Sequence, residues 1–65
     1  MTLKEKINDL QLELTELNNQ YQEVSKHIYG LYEISELNSI ENAIKETKQL
    51  IKWLKDYQRL LQKDN

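Results

Sequence analysis

The stretch LKEKINDLQLELTELNNQYQEVSKHIYGL (residues 3–31) carries apolar side chains at alternating steps of four and three residues. Its heptad a positions are Ile7, Leu14, Tyr21 and Ile28, and its d positions are Leu3, Leu10, Leu17, Val24 and Leu31. Such an unbroken series predicts a long helix with a coiled-coil seam. Thr2 and Glu5 form a capping-box pattern, in which the Thr2 side chain accepts a hydrogen bond from the backbone N–H of residue 5.

A second seam with the same steps follows in the other half of the chain. Its positions are Leu37, Ile40, Ile44, Thr47, Ile51, Leu54, Gln58 and Leu61. After Leu31 the first seam would continue at Ser35, so the second seam is displaced by two residues. Coiled coils absorb insertions of three or four residues, but two would turn the seam to the wrong face. We therefore expect the helix to break between about Gly30 and Asn38.

These seams predict an all-α fold, with a single domain over residues 1–65. We expect an antiparallel helical hairpin with helices over about 3–30 and about 39–63, joined by a connection over about 31–38. Gly30, the only glycine, would end the first helix, and NSIE (residues 38–41) would cap the second. A three-helix layout, broken at the poor helix formers Asn18 and Asn19, is the alternative.

Composition excludes several classes of site and function. Sixty-five residues form a small domain that is marginal alone. The chain has no cysteine and one histidine, so we expect no disulfide, metal or other cofactor. It contains no phosphate loop or catalytic motif, and we expect no enzymatic activity. Without a signal-like segment or an apolar run of about 20 residues, we expect a cytoplasmic protein and no membrane partner.

Apolar residues occupy more than half of the circumference of the second helix. With Ile44 as an a position, they fill the neighbouring c, g, d and a positions, an arc wider than one packed helix covers. We expect a second neighbour to cover the excess side chains: Leu50, Trp53, Tyr57 and Leu60. The homodimer in which two hairpins form a four-helix bundle is favoured. A different protein is the next alternative, followed by a small-molecule or nucleic-acid ligand.

Basic residues line another side of the second helix. Residues 45–63 hold six bases and two acids, and the b and e positions carry Lys45, Lys48, Lys52, Lys55 and Arg59. The first helix carries acids at its c and g positions instead: Asp9, Glu13, Glu16 and Glu23. Both stripes can be solvated faces, or they can pair between chains. Alternatively, the bases bind an anion such as a nucleotide signal or RNA.

The segment HIYGLY (residues 27–32) brings His27, Tyr29 and Tyr32 close to the end of the hairpin. The free backbone N–H groups at the start of the second helix could hold an anion there. Alternatively, the tyrosine rings pack over the end of the bundle with their hydroxyls in water. His27 has no serine or cysteine nucleophile paired with it in the sequence, which argues against catalysis.

Two resemblances concern short parts of the chain. SIENAIKETKQLI (residues 39–51) is similar to the C-terminal helix of small type III secretion needle co-chaperones, and it resembles the hairpin proteins with which phages sequester nucleotide signals. These resemblances imply a secretion-system co-chaperone or a phage- or plasmid-type anion-binding bundle. The residues themselves favour a non-enzymatic regulator, inhibitor or assembly chaperone that binds a protein, and the abundance of Lys, Asn and Ile indicates a bacterial or phage source.

Overall fold

A computed structural model describes residues 2–27 and 30–63 of the chain, and of Lys63 the backbone only. It contains two α-helices, α1 (Leu3–Ser25) and α2 (Leu31–Lys63), which pack along each other. A connection of five residues, 26–30, requires packed helices to run antiparallel. The molecule is a rod of 55 × 15 × 14 Å. The predicted all-α hairpin is confirmed, and the described residues contain no strand.

The first helix is continuous through Asn18 and Asn19, so the three-helix alternative is wrong. Both side chains are exposed, and the low helix propensity of asparagine costs at most about 0.7 kcal/mol per residue there. Packing of the seam on either side outweighs that cost. At the start of α1, Thr2 Oγ1 accepts a hydrogen bond from the Glu5 backbone N–H at 3.1 Å, as predicted.

Burial in α1 follows the predicted seam. Ile7 and Leu10 are each 6% exposed and belong to the core. The other seam positions are half-buried: Leu3, Leu14, Leu17, Tyr21 and Val24. All remaining side chains of α1 are exposed. The seam prediction is confirmed as far as Val24, whereas its next member, Ile28, lies outside the described residues.

Burial in α2 also follows its predicted seam over most of the helix. Ile40, Thr47 and Ile51 are buried, and Leu37, Ile44, Leu54 and Gln58 are half-buried. The last seam member, Leu61, is 48% exposed. The reason is length: α2 has 33 residues and α1 has 23, so α2 is longer by about 15 Å. Its C-terminal end extends past Leu3 and has no α1 residue to pack against.

The first helix ends earlier than predicted, at Ser25 and not near Gly30. The Ser25 hydroxyl donates a hydrogen bond to the Gln22 carbonyl at 2.8 Å. The next two backbone N–H groups, of Lys26 and His27, bond three residues back to Glu23 and Val24 at 3.3 and 3.0 Å. Side-chain and i→i−3 bonds of this kind satisfy the last carbonyls and tighten the end of a helix. Residues 28 and 29, which the prediction included in the first helix, lie outside the described residues.

The second helix begins at Leu31, so the predicted connection over 31–38 is helical. The Gly30 carbonyl accepts the first i→i−4 bond of α2, from the Ile34 N–H at 3.3 Å. Gly30 has no positive φ and precedes the second helix instead of ending the first. Asn38 and Glu41 lie inside α2 and are not caps. The phase difference therefore falls between the end of α1 and the start of α2, and Leu31, which belongs to neither buried seam, is 86% exposed.

Thr47 is a buried polar residue of the core, and replacing it by valine is expected to stabilise the fold. Its hydroxyl donates to the Ala43 carbonyl at 2.8 Å, which also accepts the intrahelical N–H bond of residue 47. Valine therefore leaves no buried group unpaired and adds a buried methyl, worth about 0.8 kcal/mol. Urea unfolding measures the gain.

Thr15→Val is the matched control for Thr47→Val. Thr15 makes the same bond, to the Gln11 carbonyl at 3.1 Å, on the exposed side of α1. Its replacement should change the free energy of unfolding by less than about 0.5 kcal/mol. A clear loss of stability in Thr47→Val alone would mean that the hydroxyl, and not apolar packing, stabilises this part of the seam.

Candidate protein-binding surface

Four large apolar side chains form a line along the outside of α2, which we call the apolar strip: Leu50, Trp53, Tyr57 and Leu60. They are 44%, 59%, 55% and 62% exposed, respectively. Steps of three, four and three residues place them on one side of a helix. The strip lies beside the seam, so packing of the hairpin itself leaves it open to solvent.

A shallow cleft interrupts the turn-proximal end of the apolar strip. It is lined by Leu50 and Trp53 together with the polar residues Glu46 and Gln49. A depression between two apolar side chains can receive a side chain from another helix, as in knobs-into-holes packing. The strip is therefore not flat at this end.

A second cleft, near the turn, shows which sides of the two helices share a face. It is lined by Glu23 and Val24 of α1, by His27 just after that helix, and by Tyr32, Glu33 and Glu36 of α2. Glu23 and His27 are c and g positions in the heptads of the first seam, and Tyr32 and Glu36 are c and g positions in those of the second. The c and g sides of both helices therefore lie on one face of the hairpin, which we call the strip face.

The acids of the strip face lie between the turn and the apolar strip. Glu23 and Glu36 line the same cleft. Asp9 lies fourteen residues before Glu23 in α1, and Leu50 lies fourteen residues after Glu36 in α2. Because the helices run antiparallel, Asp9 and Leu50 lie at the same height along the hairpin. Six exposed acids thus form an acidic patch on the turn-proximal part of this face: Asp9, Glu13, Glu16, Glu23, Glu36 and Glu46.

The basic stripe lies on the opposite face. Its five members occupy the b and e positions of α2 and are all exposed: Lys45, Lys48, Lys52, Lys55 and Arg59. Within the described part of the chain the ion pair present is Lys26 with Glu23, at 3.5 Å and exposed. The stripe and the acidic patch therefore do not neutralise each other within one molecule. Apart from Glu23, which pairs with Lys26, both remain available to outside charges.

The structure places two of the three residues predicted at the hairpin end beside one cleft. His27 and Tyr32 line the turn-proximal cleft together, while Tyr29 lies outside the described residues. Tyr32 is 78% exposed, so its ring does not cover the end of the hairpin. Glu23, Glu33 and Glu36 also line the cleft, and three carboxylates repel an anion. Over residues 2–27 and 30–63 there is no cluster of ligands that could hold a metal ion.

Two features of the surface were not predicted from the sequence. The acidic patch and the apolar strip lie on one face, which becomes apparent only when α1 and α2 are paired. The heptad positions could have indicated this, because both sets of residues occupy c and g positions. Leu12, at an f position of α1, is 66% exposed and lies off the seam. It is an isolated apolar side chain, which is common on protein surfaces.

Neither helix, as far as its residues are described, has the length and apolarity needed to cross a membrane. No protein-family model, curated protein or solved structure matches this chain.

Proposed function

We propose that this chain is a small non-enzymatic binding protein whose apolar strip docks on a helical surface of another protein. Regulators, inhibitors and assembly chaperones can all act in this way, by covering a surface that would otherwise bind something else. One observation carries the proposal: Trp53 and Tyr57 are more than half exposed at the centre of a strip that Leu50 and Leu60 bound.

The composition of the strip supports a protein partner. Exposed apolar patches of this kind mark contact surfaces, and tryptophan and tyrosine are enriched among the residues that dominate binding energy. Trp53 and Tyr57 are also anchored on a long helix and lose little side-chain freedom on binding. A ligand of the anionic class would not need such residues.

A second copy of the chain is the partner that is always present, and we propose that it covers the strip when no other protein does. The hairpin buries few large side chains, with Ile7, Leu10, Ile40 and Ile51 as its buried apolar core. A chain this small gains stability from association. Two hairpins bring four helices together, and a partner protein then competes with the second copy for the strip.

A second candidate function is binding of a nucleotide or RNA through the basic stripe. It is favoured by the five exposed cations, which have no acid within ion-pair distance in the described residues. Binding of this kind would weaken steeply with salt. The acidic patch covers only the opposite face, so it does not block an anion from the stripe.

The two functions can be separated with two variants of the tagged protein, expressed in its native host. Trp53→Ser/Tyr57→Ser removes the centre of the apolar strip, and Lys48→Glu/Lys52→Glu/Lys55→Glu reverses the centre of the basic stripe. We expect a bound protein that the strip variant loses at least tenfold and the lysine variant keeps. The same ranking of dissociation constants should hold with purified components.

Two results would contradict the proposal. Retention of nucleotide or RNA that only the lysine variant loses would establish the second candidate instead. Retention of a protein partner equally by both variants would place the binding surface elsewhere. Helicity measured by circular dichroism must match the wild type in each variant, because both sets of side chains are exposed in the hairpin and lie outside its seam.

A further inference from the structure

We infer that the second copy binds antiparallel at the open ends of the two hairpins, with the two-fold axis passing near residue 55 of α2. The overlap is then limited to the apolar strip, and the two acidic patches point away from each other. This inference rests on the proposed self-association and adds its geometry. Three observations lead to it: the order of side chains in the strip, the position of the acidic patch and the length of α2.

The apolar strip reads the same in both directions. Leu50 and Leu60 are symmetric about residue 55, and so are Trp53 and Tyr57. A two-fold interface requires that residue i meets residue j and that j meets i. Antiparallel pairing of two strips brings Trp53 against Tyr57 of the other copy twice, and leucine against leucine at both edges. Aromatic pairs of this kind contribute beyond their buried area.

The acidic patch excludes the two full-length arrangements. If the hairpins lay parallel with their strip faces together, six acids of one copy would face the same six of the other. If they lay antiparallel over their full length, each strip would cover the acidic patch of the other copy. The first arrangement places like charges together, and the second buries carboxylates against apolar side chains. Overlap at the open ends alone avoids both.

The length of α2 makes the open end accessible. Tyr57, Leu60 and Leu61 lie at or beyond the height of Leu3, where α1 begins, and each is about half exposed. No part of α1 therefore stands between these side chains and a second copy. Leu61, which has no partner in its own seam, lies at the edge of the overlap.

The size of the strip predicts a weak dimer. Four side chains that are about half exposed offer on the order of 400 Å² per copy, below the roughly 600 Å² per partner of a specific, stable interface and in the range of weak, transient contacts. We expect a dissociation constant on the order of 10–100 μM. Monomer and dimer would then exchange readily, which is what competition by a partner protein requires.

Distances between spin labels distinguish the three arrangements. The chain has no cysteine, so Asp56→Cys and Asn42→Cys, at exposed f positions of α2, each give one label per copy. Overlap at the open ends predicts about 20 Å between labels at 56 and about 40 Å between labels at 42. A parallel bundle predicts about 20 Å for both. A full-length antiparallel bundle predicts about 35 Å at 56 and about 20 Å at 42.

The measurement is made on the full chain at 300 μM, with sedimentation equilibrium on the same samples. If the label at 56 weakens the dimer, the label at 42 alone still separates overlap at the open ends, at about 40 Å, from both full-length arrangements, at about 20 Å. Either set of full-length distances would overturn the inference, as would a monomeric mass at every concentration. A monomer that still binds a partner through the strip would overturn only this inference. A dimer with the expected distances but no strip-dependent partner would overturn only the proposed binding of another protein.

Discussion

Leu10→Ala is expected to leave most of the protein unfolded at 25 °C and low micromolar concentration. Leu10 is 6% exposed and belongs to a core with few other buried apolar side chains. Truncating a buried leucine costs about 2–5 kcal/mol, and a chain of this size has only about 3–5 kcal/mol to lose. Circular dichroism should show a large loss of helicity, and urea titration should show a shortened or missing folded baseline.

Leu12→Ala is the matched control for Leu10→Ala. It removes the same atoms from the same helix two residues away, but Leu12 is 66% exposed and faces away from α2. Its free energy of unfolding should change by no more than about 0.5 kcal/mol, since alanine also favours the helix. Equal destabilisation by the two variants would show that α1 does not present its a and d positions to α2.

Trp53→Ser/Tyr57→Ser is expected to weaken self-association at least 100-fold. Both side chains sit at the centre of the apolar strip, where residues that cost about 2 kcal/mol or more on truncation are usually found. The wild type should approach twice its 7.9 kDa mass as its concentration rises, whereas the variant should keep the monomer mass. Its helicity should survive at the concentration of the assay, because neither side chain belongs to the seam.

The control for this variant is Leu12→Ser/Tyr32→Ser. It likewise removes two large exposed side chains, here one aliphatic and one aromatic, 66% and 78% exposed, from outside the strip. Sedimentation equilibrium over 5–500 μM should show wild-type association. Dissociation in both variants would indicate unspecific apolar association, and an unchanged mass in the strip variant would mean that another surface joins the copies.

Burial along the helices could be predicted from periodicity alone. Each residue advances a helix by a fixed angle, so the steps of three and four placed Ile7, Leu10, Ile40 and Ile51 in the core before any contact was known. The hydrogen bond from the Glu5 N–H to Thr2 was equally local and equally predictable. Exposure of Trp53 and Tyr57 also followed, because one neighbouring helix covers only a narrow stripe.

The turn could not be placed by the same reasoning. The two-residue phase difference showed that the helices must separate, but it allowed any position between the last member of one seam and the first of the next. In the structure, hydrogen bonds of Ser25 and Gly30 mark the end of α1 and the start of α2. NSIE can act as a helix cap only when the residues before it are not helical. Residues 31–37 are helical, so NSIE lies inside α2.

The sequence by itself determined two amphipathic helices, the residues of their seam, and an apolar surface on α2 that the seam does not use. These depend on angular spacing within one helix, which neighbouring residues encode. Only the tertiary structure decided that the acidic side of α1 and the apolar side of α2 share one face, and that α2 extends past Leu3. Both depend on where the chain reverses and how the helices pair, and these are relations between residues far apart in the sequence.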